Sequence, residues 1–283
     1  MRLASTAVAA LVLIAPGLFG GAGSAVAAGP QPIEIEQTDG HPLKALLFRP
    51  EGDGPFPAVV ALHSCAGTIN RSGALGTRYR DWSERLVKDG YVVLLPDSLG
   101  SRGLGNQCGA RSSVRPDRQR VADANAARLW LQSQSYVAAD RVSLLGWSSG
   151  AVAVLWAARV RPQTADEKTP DFRSAVAFYP GCRRLGNTAW SARIPTLILI
   201  GRLDDQASAQ ACQQMVAGAK GRSAKVDIHV YPYAHHDFDH PNRPLQLRSG
   251  LAFSVDGSGR AHSGTNPAAR ADSIRRAQEW FAR

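Results

Sequence analysis

Val142-Ser143-Leu144-Leu145-Gly146-Trp147-Ser148-Ser149-Gly150-Ala151-Val152-Ala153-Val154-Leu155-Trp156 places a G-x-S-x-G pattern between an apolar run and an apolar stretch of helical composition. The pattern needs a strand, a sharp turn and a helix in that order. The turn holds the serine in a strained backbone conformation at its tip, and the glycines let neighbouring backbone approach closely. Read this way, Ser148 stands at the carboxyl end of a strand, with a helix N-terminus beneath it that favours negative charge. The bland reading, a glycine-flanked turn without chemistry, has to be weighed against what surrounds it.

Working outward, residues 33–37 and 43–49 flank Asp39-Gly40, a hairpin-type turn. Short apolar runs follow at 58–63, 91–96, 142–146, 175–179, 196–200 and 226–231. All but the last are continuously apolar, as strands of a parallel sheet covered on both faces must be. Between them, 79–88, 118–132, 151–159, 209–217 and 268–281 carry helical spacing. The alternation predicts a single α/β domain over 29–283, with a mostly parallel, doubly wound sheet and helices on both faces. Residues 102–118 and 241–266 read as long loops, either solvated insertions or substrate lids.

A serine hydroxyl is a weak nucleophile unless a neighbouring base takes its proton. His235 and His236 lie just past the last strand-like run, and the orienting acid should fall between serine and histidine in chain order, after a strand. Asp204 and Asp205 follow the run 196–200 and meet that condition. All three groups then sit at carboxyl ends of parallel strands, where open α/β sheets place their sites. His235, His236, Asp237, Asp239 and His240 could instead form a metal cluster. They lack the i, i+4 spacing of a zinc-binding pair, so a catalytic His236 is preferred and no metal or other cofactor is expected.

Composition bounds the rest. The chain has 283 residues and a formal charge of +10, but its basic residues are scattered, and no aromatic-interleaved basic stripe suggests a nucleic-acid module. Residues 1–28 begin with Met1-Arg2, continue as an apolar run broken by Pro16 and glycines, and end in small residues, the pattern of a cleaved export signal. No membrane attachment is expected after cleavage, which leaves a periplasmic or secreted protein; oligomeric state is not readable. Export favours oxidised cysteines, and the four present are expected to pair as Cys65–Cys108 and Cys182–Cys212.

Over residues 32–281 the chain resembles the dienelactone hydrolase family of the α/β-hydrolase superfamily. The resemblance rests on 146–150, on Gly201-Arg202-Leu203-Asp204, and on Tyr231 followed by Ala234-His235-His236-Asp237-Phe238. It implies an α/β-hydrolase fold and a nucleophile, base and acid at Ser148, His236 and Asp204, with Asp205 as the adjacent alternative. The loop Leu62-His63-Ser64-Cys65-Ala66-Gly67 matches the family segment that lends an oxyanion-hole amide, here that of Cys65, with Ser149 supplying the second. His63, Arg102 and Trp147 are candidates for touching substrate; Arg102 lies near a position where family arginines hold a substrate carboxylate. Two departures stand out: the name-giving enzymes carry cysteine where this chain has Ser148, and they are cytoplasmic. The resemblance therefore implies two-step hydrolysis of a small ester or lactone without specifying a dienelactone. Other acyl transfer on the same residues (peptidase, polyester hydrolase, acyltransferase) and a silent binding protein of this fold are the alternatives.

Overall fold

In the computed structural model, residues 29–37, 40–70, 72–109, 113–160 and 169–283 are described, with Met1. The rest of the expected signal segment, and Asp39 of the expected turn, lie outside the described residues. The central sheet is made of β1 (Gln31–Ile35), β2 (Leu43–Phe48), β3 (Phe56–Leu62), β4 (Val92–Pro96), β5 (Val137–Trp147), β6 (Ala175–Phe178), β7 (Thr196–Gly201) and β8 (Val226–Tyr231). Their spatial order is β1-β2-β4-β3-β5-β6-β7-β8. The pairs β1–β2 and β2–β4 are antiparallel and all later pairs are parallel. Every residue of β4, β6 and β7 is buried, which is why they read as unbroken apolar runs. The edge strand β8, half covered, alternates instead.

The helices are α1 (Thr77–Lys88), α2 (Gln119–Gln132), α3 (Ser149–Ala157), α4 (Arg183–Gly186), α5 (Ala209–Ala219) and α6 (Pro267–Phe281). Crossovers between parallel strands are right-handed. The step from β3 through α1 to β4 runs toward β1, while those through α2, α3, α4 and α5 run toward β8. The two directions put α1 on one face of the sheet and α2–α5 on the other. Arg270 of α6 pairs with Asp81 of α1, which places α6 beside α1. The fold is that of an α/β hydrolase, and the strand order reverses at β3, where β4 and β5 flank it. A crevice opens there at the carboxyl ends of the strands.

The differences from the sequence reading have local causes. β5 begins at Val137, five residues early, because Val137 pairs with Phe56 across a register shift; its Asp140 and Arg141 are exposed and broke the apolar pattern. The 241–266 segment is not structureless: β9 (Gln246–Arg248) and β10 (Ala261–Ser263) form a small antiparallel pair, too short and too polar to show in periodicity. The helix expected from 151 starts at Ser149, directly after the turn residue. Disulfides join Cys65 to Cys108 and Cys182 to Cys212, leaving no cysteine free. Among the described residues no helix is long and apolar enough to cross a membrane.

Candidate active site

Ser148 leaves β5 with φ 52° and ψ −117°, a conformation L-residues seldom adopt and one the surrounding contacts must hold. A Cβ on Gly146 would come within 2.7 Å of the Gly150 carbonyl, and one on Gly150 within 2.1 Å of the Leu62 carbonyl oxygen. Both glycines are therefore required, the first to fold the turn and the second to press α3 against the end of β3. The Ser148 amide donates to the Phe178 carbonyl at 3.0 Å, which fixes the tip against β6.

The acid and histidine loops are laced to each other. Gly201 approaches the Ala234 carbonyl so closely that a Cβ would stand 2.1 Å from its oxygen. The Leu203 amide donates to the same carbonyl at 3.1 Å, and that of Arg202 to Tyr231 at 2.8 Å. This lacing brings Asp204 Oδ2 to 2.8 Å from His236 Nδ1. A carboxylate only accepts, so Nδ1 carries the proton and Nε2, 3.0 Å from Ser148 Oγ, is left to accept from the hydroxyl. Asp204 also accepts from the Gln206 amide at 3.0 Å and the Ala207 amide at 2.7 Å, which keeps it aimed. Burial alone would lower the pKa of His236, but the charge and hydrogen bond of Asp204, with Asp237 nearby, raise it above the ordinary imidazole value. Asp205 points elsewhere: its carboxylate holds the main chain and ring of His262.

Cys65, Ser148 and His236 line one cavity of about 840 Å³, whose wall also includes Asp97, Cys108, Arg243 and Arg248. Ser149 opens α3, so its amide has no acceptor within the helix. Three sequence candidates do not reach this cavity. His63 is fully buried; its Nδ1–H donates to the Ser64 carbonyl at 2.7 Å and its Nε2 faces Asp97 at 3.6 Å. Burial, aided by the charge of Arg120, pushes its pKa down to about 3, so it is neutral. Trp147 is also fully buried, because alternation along β5 turns its side chain inward, where Nε1–H donates to Asp239 at 2.8 Å. Arg102 is held in a two-pronged pair with the buried Asp123, at 3.0 and 2.9 Å, and so is not directed at a substrate. The five-residue acid-histidine cluster disperses as well. Asp237 pairs with Arg78 and Arg243, Asp239 accepts from Trp82, Trp147 and Tyr179, and His240 accepts from Thr77.

The sequence reading missed the groups behind the site. Arg78, buried in α1, donates to Tyr179 at 2.6 Å and to Asp237 at 2.7 Å. The Tyr179 ring packs 4.5 Å from that of His236. Burial opposes the charge of Asp237, yet Arg78 and Arg243 hold its carboxyl well below the usual carboxylate range. Arg120, buried in α2, donates to the His63 carbonyl and, at 3.0 Å, to Ser149 Oγ. One guanidinium thus ties the loop carrying Cys65 to the start of α3. Burial draws its pKa down to about 10, which leaves it charged at neutral pH.

The model of the Dienelactone hydrolase family matches residues 43–283. A protein of Escherichia coli O157:H7 named "Putative carboxymethylenebutenolidase" is 27% identical over 226 residues, spanning 73% of this chain and 77% of its own. A protein of Bradyrhizobium sp. named "Probable 2-oxo-3-(5-oxofuran-2-ylidene)propanoate lactonase" is 31% identical over 147 residues, 50% of this chain and 53% of its own. Among solved structures, one titled as a "Putative Dienelactone Hydrolase" from Klebsiella pneumoniae superposes with a TM-score of 0.67 at 22% identity, covering 90% of this chain and 98% of that one.

Proposed function

The chain belongs to the dienelactone hydrolase family, and from that premise we propose that it hydrolyses a small carboxylic ester or lactone through an acyl-enzyme on Ser148. The observation that carries the reading is the unbroken line from Ser148 Oγ through His236 to Asp204, at 3.0 and 2.8 Å. His236 Nε2 takes the hydroxyl proton as Oγ attacks the carbonyl carbon, and Asp204 stabilises the imidazolium that forms. The oxyanion is held by the amides of Cys65 and Ser149, each donor worth about 3–4 kcal/mol in the transition state. The C–O bond then breaks, His236 returns the proton to the leaving oxygen, and water hydrolyses the acyl-enzyme by the same route. In this scheme the chain's own residues move every proton.

Arg248 supports an anionic acyl or alcohol group. It lines the cavity and, unlike Arg78 and Arg243, has no carboxylate partner among the described residues. Export is the companion proposal: the pattern of residues 1–28 and two disulfides suit an oxidising compartment, with a mature chain from about Gly29. N-terminal sequencing of the protein recovered outside the cytoplasm tests it, and an intact Met1 there refutes cleavage.

Turnover of p-nitrophenyl esters from acetate to octanoate, and of esters bearing a carboxylate, tests the activity in wild type, Ser148→Ala and His236→Ala. Activity that falls by several orders of magnitude in both variants is expected. A folded wild type that turns over no ester and resists a fluorophosphonate probe would leave the silent-protein alternative standing.

A further inference from the structure

Asp205 and His235 follow and precede the triad's Asp204 and His236 in the chain, but they turn away from Ser148. Both meet His262 of β10. One ligating atom from each of the three residues lies within 4.8 Å of the others. Asp205 Oδ2 stands 2.7 Å from His262 Nδ1, and Asp205 Oδ1 accepts the His262 main-chain N–H at 2.7 Å. The His235 and His262 rings are 5.3 Å apart. His235 Nδ1 is buried and has no hydrogen-bond partner among the described residues. An orphaned buried ring nitrogen calls for an explanation, and an ion is one that the neighbouring carboxylate and imidazole can share.

We propose that Asp205, His235 and His262 bind one divalent transition-metal ion of the Zn²⁺ class. Two imidazoles and a carboxylate suit such ions, whereas Ca²⁺ and Mg²⁺ favour oxygen ligands throughout. Tetrahedral bonds of about 2.1 Å put ligand atoms about 3.4 Å apart, so no separation here has to close by more than about 1.4 Å. Side-chain rotation can supply that, because the Asp205 and His262 side chains are 40% and 43% exposed. The His262 amide already orients the Asp205 carboxylate, as groups just outside a metal's ligands do. Three protein ligands leave a fourth position for water.

The ligands come from three separate segments: the loop after β7, the loop after β8, and β10. Each segment adjoins the triad, since His236 itself bridges to Ser263, beside His262. A bound ion would staple the three segments on the side away from Ser148, stabilising the loops that present Asp204 and His236 without entering the chemistry. The proposal does not depend on which ester is cleaved.

The test is calorimetric titration of the full, tag-free, disulfide-bonded chain with ZnCl₂ after chelator treatment, with a melting curve alongside. One saturable equivalent is expected, with a melting temperature that climbs as Zn²⁺ exceeds its dissociation constant. His235→Ala and His262→Ala should each weaken binding at least 100-fold, and Asp205→Asn at least tenfold. Where an alanine variant fails to fold by circular dichroism, His235→Gln or His262→Gln takes its place. His236→Ala should keep the equivalent. Absence of a saturable equivalent in wild type, wild-type affinity in either folded histidine variant, or loss of the equivalent in His236→Ala overturns the proposal.

Discussion

Arg120→Met removes the guanidinium that joins the two halves of the proposed oxyanion hole. In the native protein Arg120 grips the carbonyl of His63, two residues before Cys65, and the side-chain oxygen of Ser149, whose own amide is the second donor. Deleting an entire oxyanion donor costs on the order of 10²–10³ in kcat. Arg120 positions two donors without replacing either, so a loss of about 10–100-fold in kcat is expected, equivalent to about 1.4–2.7 kcal/mol. KM should change little, because the donors engage the oxygen most strongly once it bears the negative charge of the transition state. The His63 carbonyl loses a charged donor, which lowers folding stability by about 1–3 kcal/mol, so a denaturation curve must accompany the kinetics. Arg120→Lys should recover only part of kcat, since a single ammonium lacks the planar fork that spans both acceptors. The assay is ester hydrolysis under saturating and limiting substrate. A folded Arg120→Met protein with kcat within twofold of wild type would refute the clamp, and a raised KM at unchanged kcat would move Arg120 to ground-state binding.

Three further perturbations test other parts of the site. Because His236 must be neutral to act as the proposed base and its pKa is raised by Asp204 despite burial, kcat/KM should rise with pH through an apparent pKa above the ordinary imidazole value. In Asp204→Asn the raising influence is gone and burial dominates, so the limb should shift to lower pH while kcat drops on the order of 10³–10⁴-fold; an unshifted limb would detach it from His236. Replacing both Cys65 and Cys108 by serine removes the covalent link between the Cys65 loop and the 104–109 segment, leaving the Gln107 amide on the Cys65 carbonyl and sparing Cys182–Cys212, and should lower kcat more than it raises KM. Wild-type kinetics in that double variant would show that the bridge does not hold the hole. Asp237→Asn strips the buried Arg78 of its closest carboxylate and should cost about 3 kcal/mol, read as a lower urea midpoint at unchanged slope. A cost below about 1 kcal/mol would mean that Tyr179 and Asp239 carry Arg78 unaided.

What the sequence disclosed of this architecture follows from how local each constraint is. Gly146 and Gly150 are demanded by backbone contacts within a few residues of Ser148 or against the end of β3, so the elbow is legible as a pattern. The inner parallel strands are legible because they are buried on both faces and carry mostly apolar side chains. Chain order and strand ends narrow the acid to Asp204 or Asp205 and the base to His235 or His236, and the family resemblance singles out Asp204 and His236; the geometry that separates Asp204 from Asp205 lies in the lacing of two loops about thirty residues apart. Nearness in the chain misled where side-chain direction decides. Trp147 adjoins Ser148 yet points into the core, and His63 adjoins the Cys65 loop yet is sealed beneath it. Arg102 was drawn away by Asp123, a buried helical carboxylate that nothing in its own neighbourhood advertises.

Long separation in the chain hides the pairings behind the proposed triad. Arg78 and Asp237 are 159 positions apart, and nothing in either segment points to the other as its partner. Only the folded sheet brings α1 against the histidine loop, where removal from water forces the two charges to find each other. The pairs Asp204-Asp205 and His235-His236 show the complementary case. Two adjacent acids and two adjacent histidines look redundant in sequence, but successive side chains diverge, and here His236 reaches Ser148 with Asp204 behind it while Asp205 and His235 face His262. Their apparent duplication is therefore a division between two environments, one reaching the nucleophile and one reaching β10.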